Sequence, residues 1–226
     1  MVPQHLGIIM DGNRRWAKAV GLPSLKGHQE GFEVLKRICY AAIDRGIEII
    51  TLYAFSTENW NRTPAEVKYM MELALTKAIT EIAELHEQGI RFRFVGSRTN
   101  LSKKLLAALD HAEAKTAGNT RGTLAICFNY GGAQELADAA ADLIRTGITP
   151  ANVTPELLAE HLYAPDLPPL DLIIRTSGEH RLSGFMLWRS AYAELYFVEK
   201  HWPDFTAADL DAAVTEYGSR MRRFGR

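Results

Sequence analysis

Little cysteine, little net charge and no long apolar run mark this chain of 226 residues. Cys39 and Cys127, its only two cysteines, both lie inside apolar stretches. They read as buried thiols in a reducing compartment, not as a disulfide or a metal site. A net charge of −1 argues against a nucleic-acid partner held by bulk electrostatics, so any anion site must come from basic residues gathered locally. No apolar stretch approaches the ~20 residues a membrane helix requires. The opening apolar run is too short, and lacks the basic lead, for a secretory signal. A cytoplasmic protein is therefore expected. Neither a G-x-x-x-x-G-K-S/T loop nor a G-x-G-x-x-G turn occurs, which sets the ordinary nucleotide cradles aside. Internal repeats, linkers and low-complexity tracts are also missing, and the length suits one domain spanning 1–226.

What is present is an alternation of short apolar runs with longer amphipathic ones. Residues 5–10, 47–55, 90–96, 123–129, 171–175 and 194–198 read as strands, most of them continuously apolar, as parallel strands buried on both faces are. Helical patterns fit 29–45, 63–88, 102–117, 132–146, 154–162 and 206–222. The helix after residue 63 has the clearest start, because Thr63-Pro64-Ala65-Glu66 supplies an N-cap, a first-turn proline and the returning acid of a capping box. Its apolar stripe, from Val67 through Met70, Met71 and Ala74 to Leu85, is wide enough to serve as core or to wall an apolar tunnel. The Pro-rich segment 164–170 reads as a surface loop. The fold expected is α/β: a single-domain, mostly parallel, doubly wound sheet of about six strands flanked by helices.

In such sheets ligands sit beyond the carboxyl ends of the strands, and the polar clusters fall at those ends. Asp11-Gly12-Asn13-Arg14-Arg15-Trp16 follows the first strand. Ser56-Thr57-Glu58-Asn59-Trp60-Asn61-Arg62 follows the second, Asn129-Tyr130-Gly131-Gly132 the fourth, and Arg175 to Ser183 the fifth. A strand end opening onto a helix N-terminus points free backbone N–H groups at an anion. Arginine forks suit phosphate oxygens, and Asp11 offers a hard oxygen to Mg²⁺. The chemistry suggested is a metal-bound diphosphate, with Arg14, Arg15 and His28 at one anion site and Arg175, Arg181 and Ser183 at another. Taken singly, each arginine is equally well read as a surface ion pair.

These motifs resemble those of the cis-prenyltransferases, the family of undecaprenyl diphosphate synthase. The likeness covers nearly the whole chain. It rests on I-I-M-D-G-N-R-R-W-A, Gly27-His28, T-L-Y-A-F-S-T-E-N-W-N-R at 51–62, Asn129 to Gly132, D-L-I-I-R-T-S-G-E-H-R-L-S-G-F-M-L-W at 171–188, and Y-A-E-L-Y-F at 192–197. The resemblance implies a Mg²⁺-dependent enzyme that adds isopentenyl diphosphate to an allylic diphosphate and houses the growing chain in an apolar tunnel. It implies that Asp11 binds Mg²⁺ and that Gly12, Asn13, Arg14, Arg15 and His28 hold the allylic diphosphate, with Trp16 beside them. Asn59 would accept the proton or orient its acceptor, and Ser56, Thr57, Glu58, Trp60 and Arg62 would line the site. Arg175, Arg181, Leu182 and Ser183 would bind isopentenyl diphosphate. Glu194 and His180 would lie near metal in a homodimer, whose tail Arg223-Phe224-Gly225 completes the neighbouring site. A peripheral membrane contact would serve product release.

Two residues depart from the family pattern. Ser24 stands where an arginine is usual, with Lys26 as a candidate substitute, and Gly184 stands where an asparagine is usual. Small residues at Ala54 and Gly122, at positions the family uses to line its tunnel, imply a medium-length product, undecaprenyl diphosphate grown from farnesyl diphosphate. The alternatives are a short-chain or irregular synthase of the same fold and a non-catalytic partner subunit.

Overall fold

Five consecutive buried residues, His5–Ile9, form the first strand, β1. A computed structural model describes residues 1–220 of the chain. Five further strands follow: β2 (Ile49–Ser56), β3 (Ile90–Val95), β4 (Gly122–Tyr130), β5 (Leu172–Arg175) and β6 (Glu194–Phe197). They make one sheet in the order β3-β4-β2-β1-β5-β6, and every neighbouring pair is parallel. The central strands are apolar because both faces are covered. Leu6, Ile8, Ile50, Leu52, Leu172 and Ile174 are at most 1% exposed, so truncating any of them to alanine is expected to cost about 2–5 kcal/mol.

The helices are α1 (Asn13–Ala19), α2 (Ser24–Asp44), α3 (Pro64–Thr80), α4 (Ile82–Glu87), α5 (Lys103–Thr116), α6 (Gly132–Arg145), α7 (Pro155–Glu160) and α8 (Ala207–Ser219). Four of their starts carry a side-chain cap. The Thr63, Ser102, Thr154 and Thr206 hydroxyls each accept the backbone N–H three residues on, satisfying a donor that the first turn leaves free. One core layer packs α2 and α8 on the sheet, including Ile38, Ala42, Trp202, Leu210 and Tyr217. Another, under α3 and α5, gathers Phe55, Met70, Phe94, Leu105, Leu109 and Phe128.

Three expectations change in detail. The helix expected over 29–45 begins at Ser24, because Pro23, its N-cap, presets an extended entry. The helix expected over 63–88 is two, broken at Glu81, which is at once the C-cap of α3 and the N-cap of α4. The proline-rich segment 164–170 is not wholly a surface loop: Leu167 and Leu170 are buried, and the Pro168 carbonyl lies 2.9 Å from His5 Nδ1.

The strand order places the site. From β1 the chain crosses to β2 on one side; from β5 it passes to β6 on the other. The segments leaving the carboxyl ends of β1 and β5 therefore run to opposite sides of the sheet, and such a reversal leaves a crevice. Ile9 pairs with Arg175 at that end, so Asp11 and Arg175 meet at the crevice.

Candidate active site

Asp11 is fixed through its backbone. Its N–H donates to Thr176 Oγ1 at 3.0 Å, and that hydroxyl donates to the Asp11 carbonyl at 2.7 Å. The same carbonyl accepts the Trp202 N–H at 3.0 Å. Gly12 then turns the chain into α1 with φ +99, a conformation open to glycine at little cost. A side chain there would also strike Ser177 and His201. Helix α2 crosses α1 so closely that a Cβ on Gly31 would sit 2.2 Å from Asn13 Oδ1. This close approach brings His28 and Phe32 beside the Asp11–Arg15 turn.

A cavity of about 920 Å³ opens above these strand ends. Asp11, Gly12, Asn13, Arg14, Arg15, His28, Ser56, Asn59, Arg62, Arg175 and Ser183 all line it, as do Ser24 and Ala54. Arg14, Arg15, Lys18, Arg62 and Arg175 supply five cations against the single carboxylate of Asp11. The excess of positive charge suits a ligand carrying several negative charges.

Electrostatics differ from group to group. Burial works to raise the Asp11 carboxyl, but the hydrogen bond and charge of Arg175, the Gly12 N–H and Arg15 outweigh it and hold the carboxyl below its usual range. Burial, with help from Arg62 and Arg14, pushes His28 down to about 4, so the ring is neutral at pH 7. Burial and Arg14 also lower Arg62. Arg175, 3% exposed, donates through Nη2 to Asp11 Oδ2 at 2.9 Å and through Nη1 to Ser183 Oγ at 2.9 Å and to the Arg181 carbonyl. Its Nε is buried without a partner.

The remaining expected site residues are not on the wall of this cavity. Trp16 donates its indole N–H to Asp204 at 2.8 Å. Trp60 donates its own to Asn129 Oδ1 at 2.7 Å, while the Asn129 amide ties down the Ser97 and Thr99 carbonyls. Thr57 packs against Gly131, and Glu58 is exposed. Arg181 pairs with Glu179 at 2.6 Å, which also holds Arg15 at 3.0 Å. Leu182 packs on the core beneath β5, and His180 stacks on Phe197. Glu194 pairs with Arg220 at 2.8 Å and sits opposite Leu172, at the other end of the sheet from Asp11. The two carboxylates therefore belong to separate places within one chain. Lys26 turns to Gln29 at 3.0 Å. Gly122 packs toward Ile43, not into a cavity, and the tail motif Arg223-Phe224-Gly225 lies outside the described residues.

Metal chemistry is testable against this donor set. Among the described residues no group of three His, Cys, Asp or Glu is placed to hold a metal. One oxygen ligand, Asp11, faces a cation-lined cavity. This fits Mg²⁺, which keeps waters and is commonly bound by one or two carboxylates together with substrate phosphates. It does not fit a closed structural metal site.

A second cavity, of about 170 Å³, lies deeper and is walled by α2, α3, α5 and the sheet. Phe32, Leu35, Ala54, Met70 and Leu73 line both. Ala54 sits where the pairing of β2 with β4 slips between Tyr53 and Phe55, an irregularity of the kind that redirects side chains near active sites. Sequence reasoning missed Lys18, Gly31, Phe32 and Trp202 as cavity residues. Gly27 and Gly31, one turn apart on α2, carried a signal for the close helix crossing; Lys18 and Trp202 carried none.

A polar, cation-rich chamber sharing a wall with an apolar one suits an amphiphile with an anionic head, and comparison with known proteins agrees. The Prenyltransf family model, described as undecaprenyl diphosphate synthase, matches residues 9–225. An isoprenyl transferase of Thermotoga maritima is 46% identical over 99% of this chain and 97% of its own. A Pseudomonas aeruginosa ditrans,polycis-undecaprenyl-diphosphate synthase, named as specific for (2E,6E)-farnesyl diphosphate, is 45% identical over 100% of this chain and 91% of its own. Among solved structures, lavandulyl diphosphate synthase from Lavandula x intermedia, in complex with dimethylallyl diphosphate, superposes with a TM-score of 0.94 at 34% identity, covering 100% of this chain and 99% of that one. The chain belongs to the undecaprenyl diphosphate synthase family and is a prenyl-transferring enzyme of the cis type.

Proposed function

We propose that the chain condenses isopentenyl diphosphate units onto an allylic diphosphate, farnesyl diphosphate in the first instance, to give a medium-length polyprenyl diphosphate of the undecaprenyl kind. The observation that supports this reading is the adjacency of the two cavities, which share Phe32, Leu35, Ala54, Met70 and Leu73 in their walls. A diphosphate head rests among cations while its hydrocarbon tail leaves water, at roughly 0.8 kcal/mol per buried methylene.

The residues divide the work. Asn13, Arg14, Arg15, His28 and Arg62, with the N–H groups opening α1, hold the allylic diphosphate; neutral His28 is free to donate one N–H. Mg²⁺, when bound at Asp11, supplies Lewis-acid stabilisation of the charge that gathers on the leaving diphosphate as its carbon–oxygen bond breaks. Fixed arginines add to that stabilisation without reorganising. Arg175, Arg181 and Ser183 hold isopentenyl diphosphate so that its double bond attacks the freed allylic carbon. One proton then leaves, and the cis bond is set. Asn59 accepts the Ser56 N–H through Oδ1 at 3.2 Å; its amide is too weak a base to keep the proton and serves to orient the acceptor.

The family resemblance favours a homodimer, in which Glu194 and His180 would lie near metal. The buried thiols Cys39 and Cys127 and the lack, among the described residues, of any helix long and apolar enough to cross a membrane support a cytoplasmic enzyme. Val20, Leu22 and Leu25 are exposed, and Leu22 lies on the cavity lip; they offer a peripheral membrane contact for product release.

The likeness to the lavandulyl enzyme favours a second reading, a short-chain or irregular synthase. A non-catalytic subunit is disfavoured by Asp11 and Arg175, both present and in contact. The deciding experiment incubates the purified protein with Mg²⁺, excess isopentenyl diphosphate and allylic diphosphates of increasing length. Medium-length products from farnesyl diphosphate support the first reading. Arrest after one or two additions replaces it with the second, and no product from any primer refutes both.

A further inference from the structure

The apolar cavity has three charged residues in its wall, Lys36, Lys77 and Glu81, beside the phenol of Tyr40. They are joined. Lys36 Nζ donates to Glu81 at 2.8 Å and to Glu84 at 2.7 Å. Lys77 Nζ donates to Glu81 at 3.0 Å, lies 3.5 Å from Glu33, and sits 3.8 Å above the Phe32 ring. Tyr40 donates to Glu84 at 2.9 Å. Side chains of Lys36, Lys77 and Glu81 are each about a quarter exposed. Their stems therefore meet the cavity while their heads meet water, as long charged side chains over apolar surface do.

The placement along the helices is regular. Phe32 and Leu73 line both cavities; Lys36 and Lys77 follow one turn later on α2 and α3, and Glu81 a further turn on. Glu81 is also the residue at which α3 breaks into α4. The ion pairs thus lace α2 to the α3–α4 junction, one turn beyond the residues that the two cavities share. A hydrocarbon chain extending from the first cavity reaches this seam and cannot pass between the helices without separating partly buried charges, which is costly when no polar group replaces the lost partner.

We propose that this strap of Lys36, Lys77 and Glu81 closes the apolar cavity along the α2–α3 seam and thereby limits the length of the polyprenyl product. The inference rests on the chain-elongation reading above and adds the residues that end growth. While the strap is closed, each added unit must fit inside the cavity; once it is opened, the tail threads between α2 and α3 and elongation continues.

The test compares product distributions of the full-length enzyme and its Glu81→Gln, Lys36→Met and Lys36→Arg variants. Each reacts with farnesyl diphosphate, Mg²⁺ and excess isopentenyl diphosphate, and thermal melts establish which variants fold. Glu81→Gln and Lys36→Met are expected to shift the distribution to products longer by at least one isoprene unit, whereas Lys36→Arg, which keeps the charge, retains the wild-type distribution. Should Glu81→Gln fail to fold, Lys36→Met leaves the α3–α4 junction intact and carries the test. An unchanged or shortened distribution in a folded, active variant overturns the strap while leaving the elongation reading in place. A wild-type enzyme that makes no elongated product overturns the elongation reading and the strap with it.

Discussion

Arg175 Nη2 and Asp11 Oδ2 stand 2.9 Å apart at the adjoining carboxyl ends of β5 and β1. The guanidinium is almost wholly buried and the carboxylate about one-third exposed, so the pair lies where charge is only partly screened. The same arginine holds Ser183. One buried cation therefore ties the acid proposed for the metal to the hydroxyl proposed for the second diphosphate, and a change at either is felt by the other.

Asp11→Ala is expected to lower Mg²⁺-dependent turnover by at least about 10²-fold, the scale on which losing one preformed electrostatic contact acts. Stability is expected to fall by about 1–3 kcal/mol, because Arg175 keeps its charge and loses its partner. Steady-state kinetics and thermal melts measure the two effects separately. Near-wild-type activity would remove Asp11 from its assigned role.

Ser24→Arg places a sixth cation at the first turn of α2, on the cavity wall. Lys26, the candidate substitute, is turned to Gln29, so the role is open. The KM for the allylic substrate is expected to drop several-fold, since a charge-assisted contact is roughly twice as strong as a neutral one. An unchanged KM would mean that Lys18 and Arg14 already suffice.

Ala54→Leu adds bulk in the wall that the two cavities share. The neighbours Phe55, Met70 and Phe128 belong to a packed cluster, and overpacking of this sort typically costs about 1–3 kcal/mol. Shorter products are expected, read by chain-length analysis. A distribution equal to wild type would place the growing chain elsewhere.

His5 is fully buried between Thr51 and the Pro168 carbonyl, and burial pushes it down to about 4; His28 is likewise near 4. Each folded-state value lies below the ordinary value of 6.5, so the unfolded chain binds more protons between the two. Stability is therefore complete above about pH 6.5 and is lost as pH falls toward 4, by up to roughly 3 kcal/mol for His5. Melting temperatures across that window check the sign. A protein that became more stable on acidification over this range would contradict it.

The tail at 223–226 lies outside the described residues, and its expected role rests on its R-x-G resemblance alone. Deleting it is expected to raise the KM for isopentenyl diphosphate with little change in melting temperature. Wild-type kinetics from the truncated enzyme would refute the role.

Much of the fold was legible because its signals are local. Continuous apolar runs marked strands buried on both faces, and Thr63 marked a helix start by the hydrogen bond it accepts. The break at Glu81 was not legible: no glycine or proline marks it, and it coincides with the tertiary ion pair to Lys36. Trp60 and Asn129 follow strand ends in the chain, and only the structure shows the indole donating to the Asn129 amide oxygen and that amide donating to loop carbonyls.

By itself, then, the sequence determined the alternation of strands and helices, the strand-end position of Asp11, Asn59 and Arg175, and the family. These follow from periodicity, capping and motif, each readable within a dozen residues. Only the tertiary structure decided which strand ends meet, because strand order depends on crossovers that no local pattern specifies. It put Arg175 against Asp11, left Glu194 at the far end of the sheet, drew Lys18 and Trp202 onto the cavity wall, and laced Lys36 to Glu81 across a seam between helices. Contacts between residues tens of positions apart form only when the whole core packs, and those contacts shape both chambers.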